Sequence, residues 1–547
     1  MSALIRVSDI SYILLSSICS NTSLSSYCYA NRAGVFDKLT STTYDDTAIR
    51  LTINDGTWGP LHFGAVTDNP IYGTAKWALD SIDISGVMVP NVSLNVVDQG
   101  YQIYPDGTNY PLELEVLSLG APSLQQQFAN RGQATINGTF FDRYLFTSGG
   151  GQAIPSYSYG MHIGTPTYNL AGSLLLGGYD QSRVLGEVSS QPYSDDGGFP
   201  IKLRDISLGV VRGGSPWSSS TTNSTTNSNP TGLLAAGNSS ITSNEITVYS
   251  SPGDSYIYLP QSTCDAIAAH LPVTYQSTHG LYISITSNPA YRSIITSPSY
   301  LAFTFAKDNS NRANITIKIP FAVLNLTLTP PLVAQPTPYF PCRGTTTAGA
   351  VYALGRAFCR PHFGSGTGNW FLAQAPGPNL QTPSTTVIQP EDTTVLGSDN
   401  GWEDSWSGVW TALPVATVAA SASASTTNTT TNGRSSCGDC STETLSTGAK
   451  IGIGVVCGVV SIGATVLFTL WYVTRRRRAS LDKVGSDGGG EDWPDSMQGP
   501  HWAGYELTST LIDSRPGGGG GWPAGPSRAK PPVELGVYRN EGPHEMG

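Results

Sequence analysis

Through residues 1–380, short apolar runs alternate with turns rich in Gly, Pro, Asn and Asp. SIDISGVMVPNVSLNVVD, AGSLLLGGYD, FPIKLRDISLGVV and ANITIKIPFAVLNLTL carry apolar residues at nearly every second position. That is the period of a strand with one face against a core, and the frequent turn signals predict mostly antiparallel β structure. Helical signals are short, and DAIAAHL at 265–271 is the best of them.

Three stretches depart from this texture. WSSSTTNSTTNSNPTG, residues 217–232, is too polar to order itself by burial and is expected to be a surface insert. From 381 to 450, and most densely in ATVAASASASTTNTTTNG, the composition predicts an extended Ser/Thr-rich stalk suited to O-linked sugar. IGIGVVCGVVSIGATVLFTLWYV, residues 451–473, contains no charge and at about 1.5 Å per residue is long enough to cross a bilayer as one helix. Trp471 and Tyr472 stand where an interfacial belt would be, and the RRRR that follows reads as a cytoplasmic flank. Residues 474–547, rich in Gly, Pro and acidic groups, are expected to form a disordered cytoplasmic tail.

Composition narrows the function classes. Charged residues are only 12% of the 547, and the net charge is -10, which sets nucleic acid aside because phosphate binding needs a basic face. Asn-x-Ser/Thr acceptors fall at Asn21, Asn91, Asn137, Asn223, Asn238, Asn314, Asn325 and Asn428, all before the apolar span. Their one-sidedness predicts a type I single-pass glycoprotein of the plasma membrane, its ectodomain extracellular. MSALIRVSDISYILLSSICS does not make a good signal peptide, because Asp9 interrupts its short apolar run, so the sequence is expected to lack its true start.

In an oxidising compartment Cys19 and Cys28 would close a small loop, and Cys264 would pair with Cys342 or Cys359. Cys437 and Cys440 form a CxxC in the stalk, away from any βαβ pattern, and read as a structural or free pair rather than a redox centre. No His stands at ligand spacing near them, and neither a metal nor a cofactor is implied.

A set of landmarks falls in one order: the Cys-bounded CSNTSLSSYC with GVFD after it, FFDRYLF, AGSLLLGGYD, IKLRDISLGV, IYLPQSTCDAIAAHLP, then YFPC and YALGRAFCR. Over about residues 5–375 the chain resembles the pepsin-like aspartic peptidases, especially their membrane-anchored fungal relatives. The resemblance implies a two-lobed, mostly β ectodomain with a central cleft, residues 1–190 forming the N-terminal lobe and 191–380 the C-terminal lobe. Each lobe of that family contributes one aspartate from an Asp-Thr/Ser-Gly turn. Two carboxylates that close cannot both ionise, so one acts as base and the other as acid.

Here neither Asp-Thr-Gly nor Asp-Ser-Gly occurs. With IYLP as anchor, the second catalytic position falls on Ser251, and the best match for the first is Ser8. A serine hydroxyl cannot hold the shared proton. Asp9 and Asp254 are the fallback candidates, but Asp254 lies three residues past the catalytic place, a span of up to about 10 Å in extended chain. The late LG-D-x-F acid of the family is Arg356. The expected function is therefore a pepsin-like surface glycoprotein without proteolytic activity, its cleft open to peptide or glycan. The competing classes are an active membrane-tethered aspartic endopeptidase and a structural wall-associated glycoprotein.

Overall fold

The computed structural model describes residues 2–6, 11–20, 28, 30, 34–49, 57–61, 71–84, 87–112, 115–119, 126–128, 136–147, 153–193, 198–217, 229–234, 245–251, 255–308, 313–346, 350–358, 361–364, 368–415, 507–508 and 533–535. These residues are mostly β, as the alternating pattern predicts.

A four-strand unit occurs twice. In the first half β1 (Ser2–Arg6), β2 (Ser11–Leu14), β3 (Val87–Ile103) and β4 (Glu115–Ser118) make up the unit. β4 lies between β1 and β2, parallel to the first and antiparallel to the second, while β2 pairs in parallel with β3 on its other side. In the second half β5 (Ile246–Ser250), β6 (Ile257–Pro260), β7 (Cys342–Thr345) and β8 (Tyr352–Leu354) repeat each relation: β5 parallel to β8, β6 antiparallel to β8, β6 parallel to β7.

The register makes the equivalence residue by residue. Val116 stands opposite both Leu4 and Tyr12, and Ala353 opposite both Tyr249 and Tyr258. Tyr12 also pairs with Asn95, and Tyr258 with Arg343. All four residues of β2 and all four of β6 are buried, as central strands covered on both faces must be.

The apolar side chains form separate cores. Ile13, Leu94, Val96, Phe141, Leu174 and Leu176 belong to one cluster, and Leu203, Ile206, Val248, Leu259, Phe303 and Phe358 to another whose fully buried members all come from Phe199 onward. A six-stranded sheet draws on both halves, in the order Leu185–Pro192, Asn369–Gln374, Pro361–Gly364, Tyr159–His162, Ser173–Leu176, Val533–Leu535.

Several expectations are revised. The globular body does not stop at 380, because residues 381–415 pack on it rather than opening the stalk. Thr385–Val387 pairs with Gly178–Asp180, and Ile388, Val395, Trp406 and Trp410 are buried. The polar insert is narrower than 217–232. Trp217 is buried with its ring 5.3 Å from that of Phe321, and at the far end Leu208 donates its amide to the Pro230 carbonyl. Nor is the tail wholly without structure, since Leu507–Thr508 pairs with β1 and Val533–Leu535 with Ser173–Leu176. In both places an edge strand presents open backbone groups that a short extended segment can satisfy. The helix expected at 265–271 runs over Gln261–Ala268 instead, begun by Pro260, whose fixed φ suits a helix start.

Among the described residues no helix is long and apolar enough to cross a membrane. Residues 451–473, residues 416–450 of the stalk and the centre of the insert lie outside the described residues.

Candidate functional site

Between β5 and β6 the described residues are Ser251, Ser255 and Tyr256. Ser251 is buried and its backbone amide donates to the Leu354 carbonyl at 3.0 Å, extending the β5–β8 pairing by one residue. Ser251 thus closes the β5–β8 pairing at the edge of the connection to β6. In the repeat register Ser251, two residues past Tyr249, corresponds to Arg6, two residues past Leu4. Ser8, Asp9 and Asp254 lie outside the described residues.

Beyond Ser251 the surround is basic and aromatic. Arg356 is half-buried and its Nη2 donates to Ser255 Oγ at 2.6 Å. Arg343, 1% exposed, holds its guanidinium carbon 5.6 Å from the centre of the Tyr256 ring. Tyr256 packs edge-on against Tyr258 and Tyr339, with ring centres 6.0 and 6.2 Å apart. Burial raises the pKa of Tyr256, while the Arg343 and Arg356 charges oppose the rise and Tyr104 hydrogen-bonds its hydroxyl. Burial also lifts Tyr339 well above its ordinary value, so both phenols stay neutral donors.

A turn from the first half reaches this region. Tyr104 to Thr108 joins β3 to Asn109–Pro111, closed by Tyr104 N–H to the Thr108 carbonyl at 2.9 Å. Tyr110 Oη donates to the Pro331 carbonyl at 3.2 Å, and a Cβ at Gly280 would stand 3.5 Å from Pro105 and 3.2 Å from Arg343 Nη2. Gly280 also has a φ of 65°, so a side chain there would be strained as well as crowded.

The first half carries a different buried charge. Glu115, 1% exposed, accepts the Leu14 amide at 3.1 Å, taking over where the β2–β4 ladder ends. Burial pushes its carboxyl up to about 7, against the opposing pull of the Leu14 donor. Asp142, also buried, is raised in the same direction by the same cause. Folding thus favours the protonated Glu115, and its stabilisation is complete below the ordinary value of 4.5 and lost as the pH rises through about 7. Chemical denaturation should show stability falling across that window by up to roughly 3 kcal/mol, and Glu115→Gln should flatten this part of the profile.

Among the described residues the disulfides are Cys19 to Cys28 and Cys264 to Cys342, with Cα atoms 5.5 and 5.7 Å apart. The alternative Cys264 partner, Cys359, lies outside the described residues. Of the sugar acceptors, Asn91, Asn137 and Asn314 are exposed, and Asn325 is half-buried and accepts from Tyr291 Oη at 3.0 Å. Asn21, Asn223, Asn238 and Asn428 lie outside the described residues. The sequence pattern does not single out Arg343, Tyr256 or Glu115. The available signals are a lone Arg following Cys342 and the second Glu of LELEV, at the entry to an apolar strand.

The chain matches no protein-family model and no curated protein sequence.

Proposed function

We propose that this chain is a membrane-anchored surface glycoprotein whose ectodomain has a pepsin-like, two-lobed fold and binds extended peptide or glycan without cleaving it. The observation that carries the reading is the repeated four-strand unit whose second turn opens with buried Ser251 in place of an acid. A duplicated unit suits a pair of groups contributed one from each repeat, and Ser251 has no ionisable proton near neutrality. The basic surround of Arg343 and Arg356 further opposes a shared-proton dyad, because nearby cations hold carboxylates ionised.

The test uses the full chain in membranes with denatured protein as substrate at acid pH, with and without a transition-state-mimicking inhibitor of aspartic peptidases. No inhibitor-sensitive cleavage is expected. Cleavage that the inhibitor blocks and Asp254→Asn abolishes would establish the active peptidase instead. On the same membranes an epitope at residue 547 should be shielded until they are permeabilised. An epitope exposed from the outset would favour a chain whose tail stays with the body, the arrangement that the pairings of Leu507–Thr508 and Val533–Leu535 suggest. Failure to retain any peptide or glycan, with cross-linking to the wall, would favour the structural glycoprotein.

A further inference from the structure

An apolar groove in the second half is lined by the helix Pro289–Thr296 and the helical turn Phe321–Leu324. Asn288 caps the longer helix by accepting the Ala290 amide at 2.9 Å, and Tyr291, Ile294 and Ile295, spaced to share one face, line the groove. Phe321, Leu324 and Phe340 also line it and are buried. Its unfilled space is about 310 Å³, open solvent included, so it is shallow and suits one ring laid across it. Beside it Ile285, whose amide bonds the carbonyl of the groove residue Pro272, is 40% exposed. Asn325, the acceptor of Asn325-Leu326-Thr327, belongs to the same lining. Its backbone amide donates to the Phe321 carbonyl at 3.1 Å and its Oδ1 accepts from Tyr291 Oη at 3.0 Å. A sugar attached at Nδ2 leaves that oxygen an acceptor, and Nδ2 donates to no described residue. The residue is therefore held at backbone and oxygen while the nitrogen that takes a sugar is open. Asn137 and Asn314 differ, being exposed, Asn314 at the end of an edge strand.

We propose that Asn325 carries an N-linked sugar whose first N-acetylglucosamine lies over this groove and stabilises the second half of the body, a role not shared by sugars at Asn137 and Asn314. The inference rests on the proposed reading of a surface glycoprotein and names what one of its sugars does. In the transfer Nδ2 bonds to C1 of the first sugar and loses a proton. The C1–O bond to the pyrophosphate of a lipid-linked oligosaccharide donor breaks, and the pyrophosphate leaves with the electron pair. The C–H face and acetyl methyl of that sugar are apolar and would shield Ile294 and Ile295 and the ring of Tyr291 from water. Its hydroxyls would meet Ser284 Oγ, which also lines the groove and bonds to no described residue. Thr327, the third position of the acceptor, is exposed and lies outside the lining, so it can be changed without disturbing the Tyr291 to Asn325 bond.

The experiment uses the full chain, led into the secretory route of a eukaryotic host by an added signal peptide and purified in detergent. Glycopeptide mass spectrometry should find sugar at Asn325. An amidase that cuts the sugar from Asn should release it from the native chain about tenfold or more slowly than at Asn137, because a packed site must first open locally. After denaturation the two should be released alike. Thr327→Ala, which abolishes the acceptor, should lower the thermal midpoint by about 2–4 °C. Thr327→Ser, which keeps the acceptor, and Asn137→Gln should leave the midpoint in place. Trimming every sugar to a single N-acetylglucosamine with an endoglycosidase should leave it in place too.

A bare Asn325 in a chain whose Asn137 or Asn314 carries sugar overturns the proposal. So does release at the Asn137 rate, or an unmoved midpoint in folded Thr327→Ala. Should that variant fail to fold, the release rates on the parent chain decide alone. A midpoint that falls on trimming also overturns it, since the stabilisation would then lie in the outer sugars. Each of these leaves the glycoprotein reading standing, whereas sugar at none of the acceptors sinks that reading itself.

Discussion

Replacing Trp406 by alanine in the full chain should cost about 3–5 kcal/mol of unfolding free energy, the range for truncating a fully buried aromatic. Leu396→Ala, ten residues earlier in the same segment and 72% exposed, should change stability by no more than about 0.5 kcal/mol. Trp406 is 1% exposed and stacks on Trp410 with ring centres 5.0 Å apart and planes 6° from parallel. Tyr168 meets it edge-on at 5.5 Å. Gly377 lies directly against the indole, where a Cβ would stand 2.7 Å from the ring, so the glycine allows the backbone to approach that face. Trp402 continues the cluster, packing on Trp410 and Tyr300, with the Lys318 ammonium 5.5 Å from its ring centre. These contacts hold residues 402–410 to the strands Ser299–Ala306 and Asn314–Pro320 of the second core. If they contribute as their burial implies, denaturation curves for the two variants will separate widely. Coincident curves would return residues 381–415 to the stalk.

That segment also shows where the sequence could be read and where it could not. The tryptophans of GWEDSWSGVW recur at every fourth position, a spacing that marks an apolar face. They were obscured because the surrounding composition is that of a Ser/Thr-rich spacer, and average composition hides a few large side chains. The strands were legible from alternation wherever one face is solvated, as in Asn314–Pro320, whose Asn314, Thr316 and Lys318 sit toward solvent and whose Ile315, Ile317 and Ile319 are buried.

Alternation alone would not have placed β4. In LELEVLSL polar and apolar residues alternate, yet Glu115, Val116 and Ser118 are all buried, Val116 in the cluster with Tyr12 and Leu14 and Glu115 under the Leu14 amide. The start of β6 was legible from IYLP, whose four residues are all buried in a central strand. Arg343 was not, because its meaning depends on its parallel pairing with Tyr258, some 85 residues earlier in the chain.

Removing the Cys264 to Cys342 bridge should lower stability by about 4–5 kcal/mol, and removing Cys19 to Cys28 by only about 2–3 kcal/mol. The difference comes from loop length. The first bridge closes a separation of 78 residues and the second of 9, and the unfolded chain gains more freedom when the longer loop is released. Location adds to it. Both sulfurs of the longer bridge are fully buried in the larger core, where they fasten the helix Gln261–Ala268 to the start of β7, while Cys19 and Cys28 are partly buried at the margin of a smaller cluster. Alanine is the replacement to use at 264 and 342, because serine would bury two hydroxyls with no assured partners. The measurement is denaturant unfolding of the two double variants against the parent, read at unchanged slope so that the midpoints report stability alone. Since Cys342 directly precedes Arg343 on β7, the longer bridge also fixes the strand that carries the buried arginine beneath Tyr256. Equal losses for the two pairs would contradict the loop-length account and place the stability of the fold in its first half.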